Sequence, residues 1–249
     1  MASSDGVVIV VLGKGGSSKT ATVGILGPAL AEHGRRVALV DLDPDAILTD
    51  WLARDEDREA GVDDVLAGTL AVDQVTVPLR DGLDLVPAME GLIDREQQPD
   101  LVAAMRALFA SLRSSYDIVL VDTRGSIRSL LNIAAVEAGD FVLVPMQPAG
   151  GNLRATRVAL TTASDCRTPV LGILPSRAGR GNMAKESIGL LQASGYHVFP
   201  AIPQNVKADE ARPIGLPLGE YAPKSPAWLA YQDVAAGVIK ALAKEAARG

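Results

Sequence analysis

Five short stretches of the chain are almost continuously apolar and rich in valine. They are VVIVVL (residues 7–12), RVALVD (36–41), DIVLVD (117–122), FVLVP (141–145) and PVLGIL (169–174). Runs of this length without polar alternation fit strands covered on both faces, as in a parallel sheet sandwiched between helices. Between them the period changes. Over residues 100–114, Leu101, Met105, Leu108 and Leu112 recur at spacings of three and four, which predicts a helix with one apolar stripe. The segment VTVPLRDGLDLVPA (75–88) reads as a short hairpin-like excursion turning at Asp81 and Gly82. Residues 225–248 are alanine-rich and read as a closing helix. The helix after the first strand carries Gly24, Gly27 and Pro28 in its middle. Pro28 lacks a backbone donor and crowds the carbonyl of Gly24, so a kink is expected there. No low-complexity linker divides the chain and no internal repeat is found. The pattern predicts one α/β domain over residues 1–249, with a doubly wound, mostly parallel sheet and helices on both faces.

Composition narrows the function classes. The chain has 249 residues, 48% of them hydrophobic, enough for a continuous core. Lys plus Arg number 24 against 30 Asp plus Glu, so a net charge of -6 excludes a nucleic-acid sponge at the level of the whole chain. The charge is unevenly spread. Residues 1–150 hold 12 basic and 23 acidic side chains, whereas residues 151–249 hold 12 basic and 7 acidic. Such asymmetry fits an anion-binding face on an acidic body, and equally fits an ordinary solvated surface. A single cysteine, Cys166, excludes a disulfide framework, a multi-thiolate zinc site and an iron–sulfur cluster held by this chain alone. His33 and His197 leave little room for a histidine-based metal site. No run reaches the roughly 18–20 apolar residues that span a bilayer. The opening MASSDGVVIVVLG has no basic region ahead of its apolar run, so no signal peptide is predicted and a soluble cytoplasmic protein is expected.

The most informative motif is GKGGSSKT (13–20), which follows the first apolar run directly and precedes the first helix. In that setting the loop's N–H groups and the helix N-terminus converge on one spot, which suits a phosphate chain. Lys19 would reach the β- and γ-phosphates and the Thr20 hydroxyl would ligate Mg²⁺. The general pattern asks for glycine just before the lysine, but Ser18 stands there. A side chain at that point crowds the phosphate or opposes a left-handed backbone. Asp41 and Asp43 end the second apolar run and Asp122 ends the third, at the edge where ligands of such sheets collect. An aspartate after a buried strand also serves simply as a helix N-cap.

KGGSSKT, with its second lysine Lys14 at the loop's start, resembles the deviant Walker A of the ParA/MinD family of ATPases. LVDLDPDA (39–46) is similar to that family's second acidic motif, with Asp45 where glutamine is usual. YDIVLVDTRG (116–125) is similar to its Walker B, with Arg124 where proline is usual. FVLVPMQPA (141–149) and residues 202–231 resemble its later blocks. The resemblance covers nearly the whole chain and implies a P-loop fold with ATP and Mg²⁺ as cofactors. It implies that Gly13, Lys14, Gly15, Gly16, Ser17, Ser18, Lys19, Thr20 and Ala21 bind the nucleotide. Pro203 and Asn205, with the loop of Pro175, Ser176 and Arg177, would hold adenine. Lys14 would reach across an ATP-sandwich homodimer to the partner's phosphates. Asp43 would orient the attacking water, Asp41 would support magnesium and the switch loop, and Asp122 would hold Mg²⁺ through water.

Partition-type members bind duplex DNA without sequence preference and answer to a ParB-like adaptor on the cargo, so a nucleoid-associated protein is expected. Arg177, Arg180, Lys185, Lys207, Arg212 and Lys224 are the candidate DNA contacts, and the scarcity of aromatics nearby favours duplex over single strand. No DNA-reading extension is expected, since the first strand begins by residue 7. Two other readings stand beside this one. Ser18, Asp45 and Arg124 depart from the usual pattern and fit a nucleotide-gated scaffold with little turnover. The MinD branch ends in an amphipathic membrane helix, but residues 235–249 offer only Val238, Ile239 and Leu242 as sizeable apolar groups, so no membrane partner is expected. Redox relatives need cluster cysteines that this chain lacks.

Overall fold

A computed structural model describes residues 6–54, 56, 58–148, 152–179 and 182–248. The valine-rich runs become strands β1 (Val7–Val11), β2 (Val37–Leu42), β5 (Ile118–Thr123), β6 (Phe141–Met146) and β7 (Val170–Pro175), and the turn at Asp81 and Gly82 joins β3 (Val77–Arg80) to β4 (Leu83–Val86). Helices are α1 (Lys19–Glu32), α2 (Ile47–Leu52), α3 (Val62–Ala67), α4 (Val72–Val75), α5 (Leu92–Arg95), α6 (Leu101–Ser115), α7 (Leu130–Ala138), α8 (Asn152–Asp165), α9 (Asn182–Ala193), α10 (Val206–Ala211), α11 (Leu218–Tyr221) and α12 (Pro226–Ala246).

The strands form one seven-stranded sheet in the order β3-β4-β2-β5-β1-β6-β7. All pairings are parallel except β3 with β4. The hairpin is therefore part of the sheet: β4 pairs parallel with β2 and β3 becomes the edge. Gly82 takes φ 73°, the left-handed backbone such a turn requires. Alternate residues of each central strand feed two cores. Val8 and Val10 of β1, Val40 of β2 and Val121 of β5 face α3, α6 and α7. Ile9, Val11, Leu39 and Leu120 face the opposite layer, with α1 and α12. Coverage on both faces is what removed polar alternation from the sequence.

Helix α1 continues through Pro28 to Glu32. Its glycines are sites of close approach. A Cβ on Gly24 would lie 2.4 Å from the Trp51 ring, and one on Gly27 would lie 2.5 Å from Leu39. Glycine is tolerated mid-helix here because bulk is excluded. Ser225 caps α12 by accepting a hydrogen bond from the Trp228 N–H at 3.2 Å. Val238 is fully buried, and Ile239 and Leu242 pack against the same core as α1. Among the described residues no helix is long and apolar enough to cross a membrane.

Gly24→Ala tests this packing. Helix propensity alone favours alanine by about 1 kcal/mol, but displacing the Trp51 ring costs more, so urea unfolding should show a net loss of about 2 kcal/mol.

Candidate functional site

The chain leaves β1 at the point where the strand order diverges, with β5 on one side and β6 on the other. A crevice at the carboxyl ends of the strands is expected at such a switch point. The loop from Gly13 to Ser18 fills it. A Cβ on Gly13 would meet the Ser17 Oγ at 2.4 Å, and Gly16 adopts φ 76°. Ser18 takes φ 75°, so the position where glycine is usual does require a left-handed backbone, and here a serine bears it. The loop is pinned at several points. The Lys14 carbonyl accepts from the Ser17 N–H at 3.1 Å and from the Lys19 ammonium at 3.3 Å. Gln147, beyond β6, donates its amide to the Gly16 carbonyl at 2.7 Å. The Gly15 N–H donates to the Gly125 carbonyl at 3.1 Å. Lys14, Gly15 and Gly16 are exposed, whereas Lys19 is buried beneath them, so the two lysines of the motif face different surroundings.

Strand register supplies the acids. Asp122 of β5 lies opposite Val11 of β1 on one side and opposite Asp41 of β2 on the other. Both aspartates are fully buried. Burial pushes each carboxyl above the usual range, and for Asp122 the adjacent Asp41 pushes further while Thr20 and Lys19 pull down. The two differ in their partners. Asp41 accepts from the Asp43 N–H at 3.0 Å, the Thr49 N–H at 3.0 Å and the Thr49 hydroxyl at 2.8 Å. Thr49 in turn accepts from the Ala88 N–H at 3.0 Å. Asp41 thus ties the end of β2 to α2 and to the strand-end loop after β4, and it orients Asp43. Asp122 accepts from its neighbour Thr123 through Oδ1, while its Oδ2 has no hydrogen-bond partner among the described residues. Asp43 is half-buried. Burial raises its carboxyl, and Lys19 and Arg124 draw it back. Lys19 is lowered by burial and supported by Asp122 and Asp43.

A buried carboxylate oxygen without a hydrogen-bond partner among the described residues, on a carboxyl that Thr20 helps to keep ionised, is a fitting start for a hard divalent cation. Among the described residues no group of three His, Cys, Asp or Glu side chains is arranged to hold a metal ion. The chemistry open to this arrangement is charge neutralisation of a phosphate chain, with Asp43 on its rim as the carboxylate available to water.

The two segments expected to hold adenine do meet. Ala178 and Pro203 form a bridge, and the Ile202 N–H donates to the Pro175 carbonyl at 2.8 Å. The Asn205 carbonyl oxygen caps α10 by accepting from the Lys207 N–H at 2.9 Å, which leaves its amide nitrogen for a ligand. Among the basic candidates, Arg177 pairs with Asp209 and Lys207 pairs with Glu210 at 2.7 Å. Lys185, Arg212 and Lys224 make no ion pair among the described residues, and Arg180 lies outside those residues. Sequence reasoning missed Thr49, Gln147, Asn132 and Glu96. Gln147 lies inside FVLVPMQPA (141–149) without standing out from it, and Thr49, Asn132 and Glu96 lie outside the motifs, their partners being set by how the elements pack.

These features define a P-loop nucleotide site at the switch point of a doubly wound sheet. Comparison with known proteins carries this further. Residues 6–162 match the family model described as an AAA domain. The chain is 35% identical over 236 residues to the chromosome-partitioning ATPase Soj of Thermus thermophilus, covering 91% of this chain and 92% of that protein. It is 30% identical over 246 residues to the sporulation initiation inhibitor protein Soj of Bacillus subtilis, covering 92% and 96% respectively. The cell division ATPase MinD of Pyrococcus furiosus superposes with a TM-score of 0.83 at 25% identity, over 95% of this chain and 99% of that one. The chain belongs to the ParA/MinD family of P-loop ATPases, the family of partition and positioning ATPases. ATP is the nucleotide of that family of ATPases.

Two substitutions follow from this geometry. The folded-state carboxyl of Asp122 is held above its unfolded value, so ionising it opposes folding. The nucleotide-free protein is therefore more stable while Asp122 is protonated, and loses stability as pH rises from the ordinary carboxylate range through the raised value. Asp122→Asn should remove that loss, raising nucleotide-free stability near pH 8 in thermal melts by more than the roughly 1.4 kcal/mol that one pKa unit represents, and weaken Mg²⁺-dependent ATP binding at least tenfold. Ser18→Gly should relieve left-handed strain and gain about 0.5–1 kcal/mol after the extra chain entropy of glycine is subtracted.

Proposed function

We propose that the chain is an ATP hydrolase cycling between an ATP-sandwich homodimer and a released monomer. As a dimer it binds duplex DNA without sequence preference, and so segregates or positions a plasmid, chromosome or protein cargo. A ParB-like adaptor on the cargo stimulates hydrolysis, and the protein works in the cytoplasm on the nucleoid. The observation that carries this reading is the division between the two loop lysines. Lys19 is buried against its own loop, while the Lys14 side chain stands exposed at the rim, where a second copy can receive it.

In this reading the N–H groups of residues 13–21 and Lys19 hold the phosphates, and Pro203 and Asn205 face adenine. Thr20 and Asp122 hold the magnesium ion, which supplies positive charge for the phosphate oxygens. Asp41 supports that site by fixing Asp43 and α2, and Asp43 orients the attacking water. Lys14 brings a cation to the partner's transferring phosphate, where charge develops. Lys185, Arg212 and Lys224, exposed and without an ion pair among the described residues, are the cations that would meet DNA phosphates. Arg177 and Lys207 must first leave Asp209 and Glu210. A second reading, a nucleotide-gated scaffold with little turnover, is supported by the strained Ser18. The membrane reading is disfavoured by the packing of α12 against α1.

Sedimentation with Mg-ATP should show a wild-type dimer and a Lys14→Ala monomer that still binds nucleotide. Only the dimer should retain duplex DNA, with affinity falling at least tenfold between about 50 and about 200 mM salt. A wild type that stays monomeric with saturating Mg-ATP overturns the reading, and a dimer with negligible adaptor-stimulated turnover favours the scaffold.

A further inference from the structure

Arg124 departs from the family's usual proline, and its surroundings are specific. Its backbone is locked: Asn132 donates its side-chain amide to the carbonyls of Arg124 at 3.1 Å and Ser126 at 2.8 Å. The next residue lies against the phosphate loop. The Gly125 carbonyl accepts from the Gly15 N–H, and a Cβ on Gly125 would sit 3.2 Å from the Gly15 Cα. The Arg124 guanidinium, partly exposed, pairs with Glu96 at the end of α5. The second oxygen of Glu96 accepts from the Leu130 N–H at 3.0 Å, in the first turn of α7. One carboxylate therefore holds both the guanidinium and the start of a helix. The guanidinium also stands close enough to Asp43 to stabilise its carboxylate form.

A planar fork of donors is suited to phosphate oxygens, and a carboxylate partner can hold it until a phosphate competes. We infer that Arg124 is a cation specific for the terminal phosphate of ATP, held in reserve by Glu96. When the third phosphate arrives, Arg124 turns to it and Glu96 keeps only the α7 N–H. ADP offers no such group at that distance, so the Arg124–Glu96 pair stays closed. Arg124 touches the nucleotide in this account, and Glu96 is a positioning residue that acts through it. The inference rests on the phosphate-loop reading and adds to it a residue that distinguishes triphosphate from diphosphate.

Calorimetric titration of the full chain with Mg-ADP and with Mg-ATPγS tests it. Arg124→Gln should weaken ATPγS about tenfold and leave ADP within about twofold, a selective coupling of the usual size. Arg124→Lys should recover only part of the loss, because an ammonium lacks the paired donors. Glu96→Gln should tighten ATPγS about threefold with ADP unchanged. Equal effects on both nucleotides, or none on either, would overturn the inference. If Arg124→Gln fails to fold, the Glu96→Gln and Arg124→Lys titrations decide by the same ratio. A wild type that binds neither nucleotide would instead overturn the phosphate-loop reading on which this rests.

Discussion

Two dehydrated carboxylates on adjacent parallel strands are a constraint that every other part of the site must answer. Asp41 and Asp122 share a register position and neither reaches solvent. Left alone, such a pair repels and cannot be fully ionised. The protein treats the two differently. Asp41 is satisfied by three internal donors, so its charge is spent on holding a loop. Asp122 keeps one oxygen without a hydrogen-bond partner among the described residues and lies within the field of the buried Lys19. In the proposed function a phosphate chain with its magnesium ion would complete that arrangement, adding positive charge at Asp122 and negative charge over Lys19. The site is thus incomplete by design of its charges, not by looseness of its parts.

The topology explains why these groups meet. Inserting β5 between β1 and β2 brings residues about eighty positions apart into register. Placing β1 between β5 and β6 opens the crevice that the phosphate loop occupies. Close approach of α1 to Leu39 of β2 at Gly27 and to Trp51 of α2 at Gly24 fixes where that helix sits, and with it the height at which its N-terminus faces the crevice. Packing far from the chemistry therefore fixes its geometry.

Much of this was legible in the sequence. The strand runs stood out because both faces of the sheet are covered, and the phosphate loop because a strand precedes it and a helix follows. The need for a left-handed residue at Ser18 was also readable from the pattern it breaks. Gly24 and Gly27 read as a weakness of α1, since their true partners, Trp51 and Leu39, lie in other elements. Asp41 was legible as a site acid, but its dependence on Thr49 follows from how α2 packs. The Arg124–Glu96 pair joins residues on either side of α6 and β5, and Gln147 reaches a carbonyl 131 positions away, so neither contact leaves a local trace. The basic half of the chain looked uniform, yet Arg177 and Lys207 are matched by Asp209 and Glu210. The Lys207–Glu210 spacing could have shown that one in advance.

The central claim is that the unsatisfied Asp122 oxygen and the buried Lys19 are completed only by nucleotide and magnesium together. Thermal unfolding of the wild type with ATP alone, Mg²⁺ alone and both together measures that coupling directly. The account predicts a stabilisation by the pair well above the sum of the separate effects. Equal melting temperatures with ATP whether or not Mg²⁺ is chelated would contradict it.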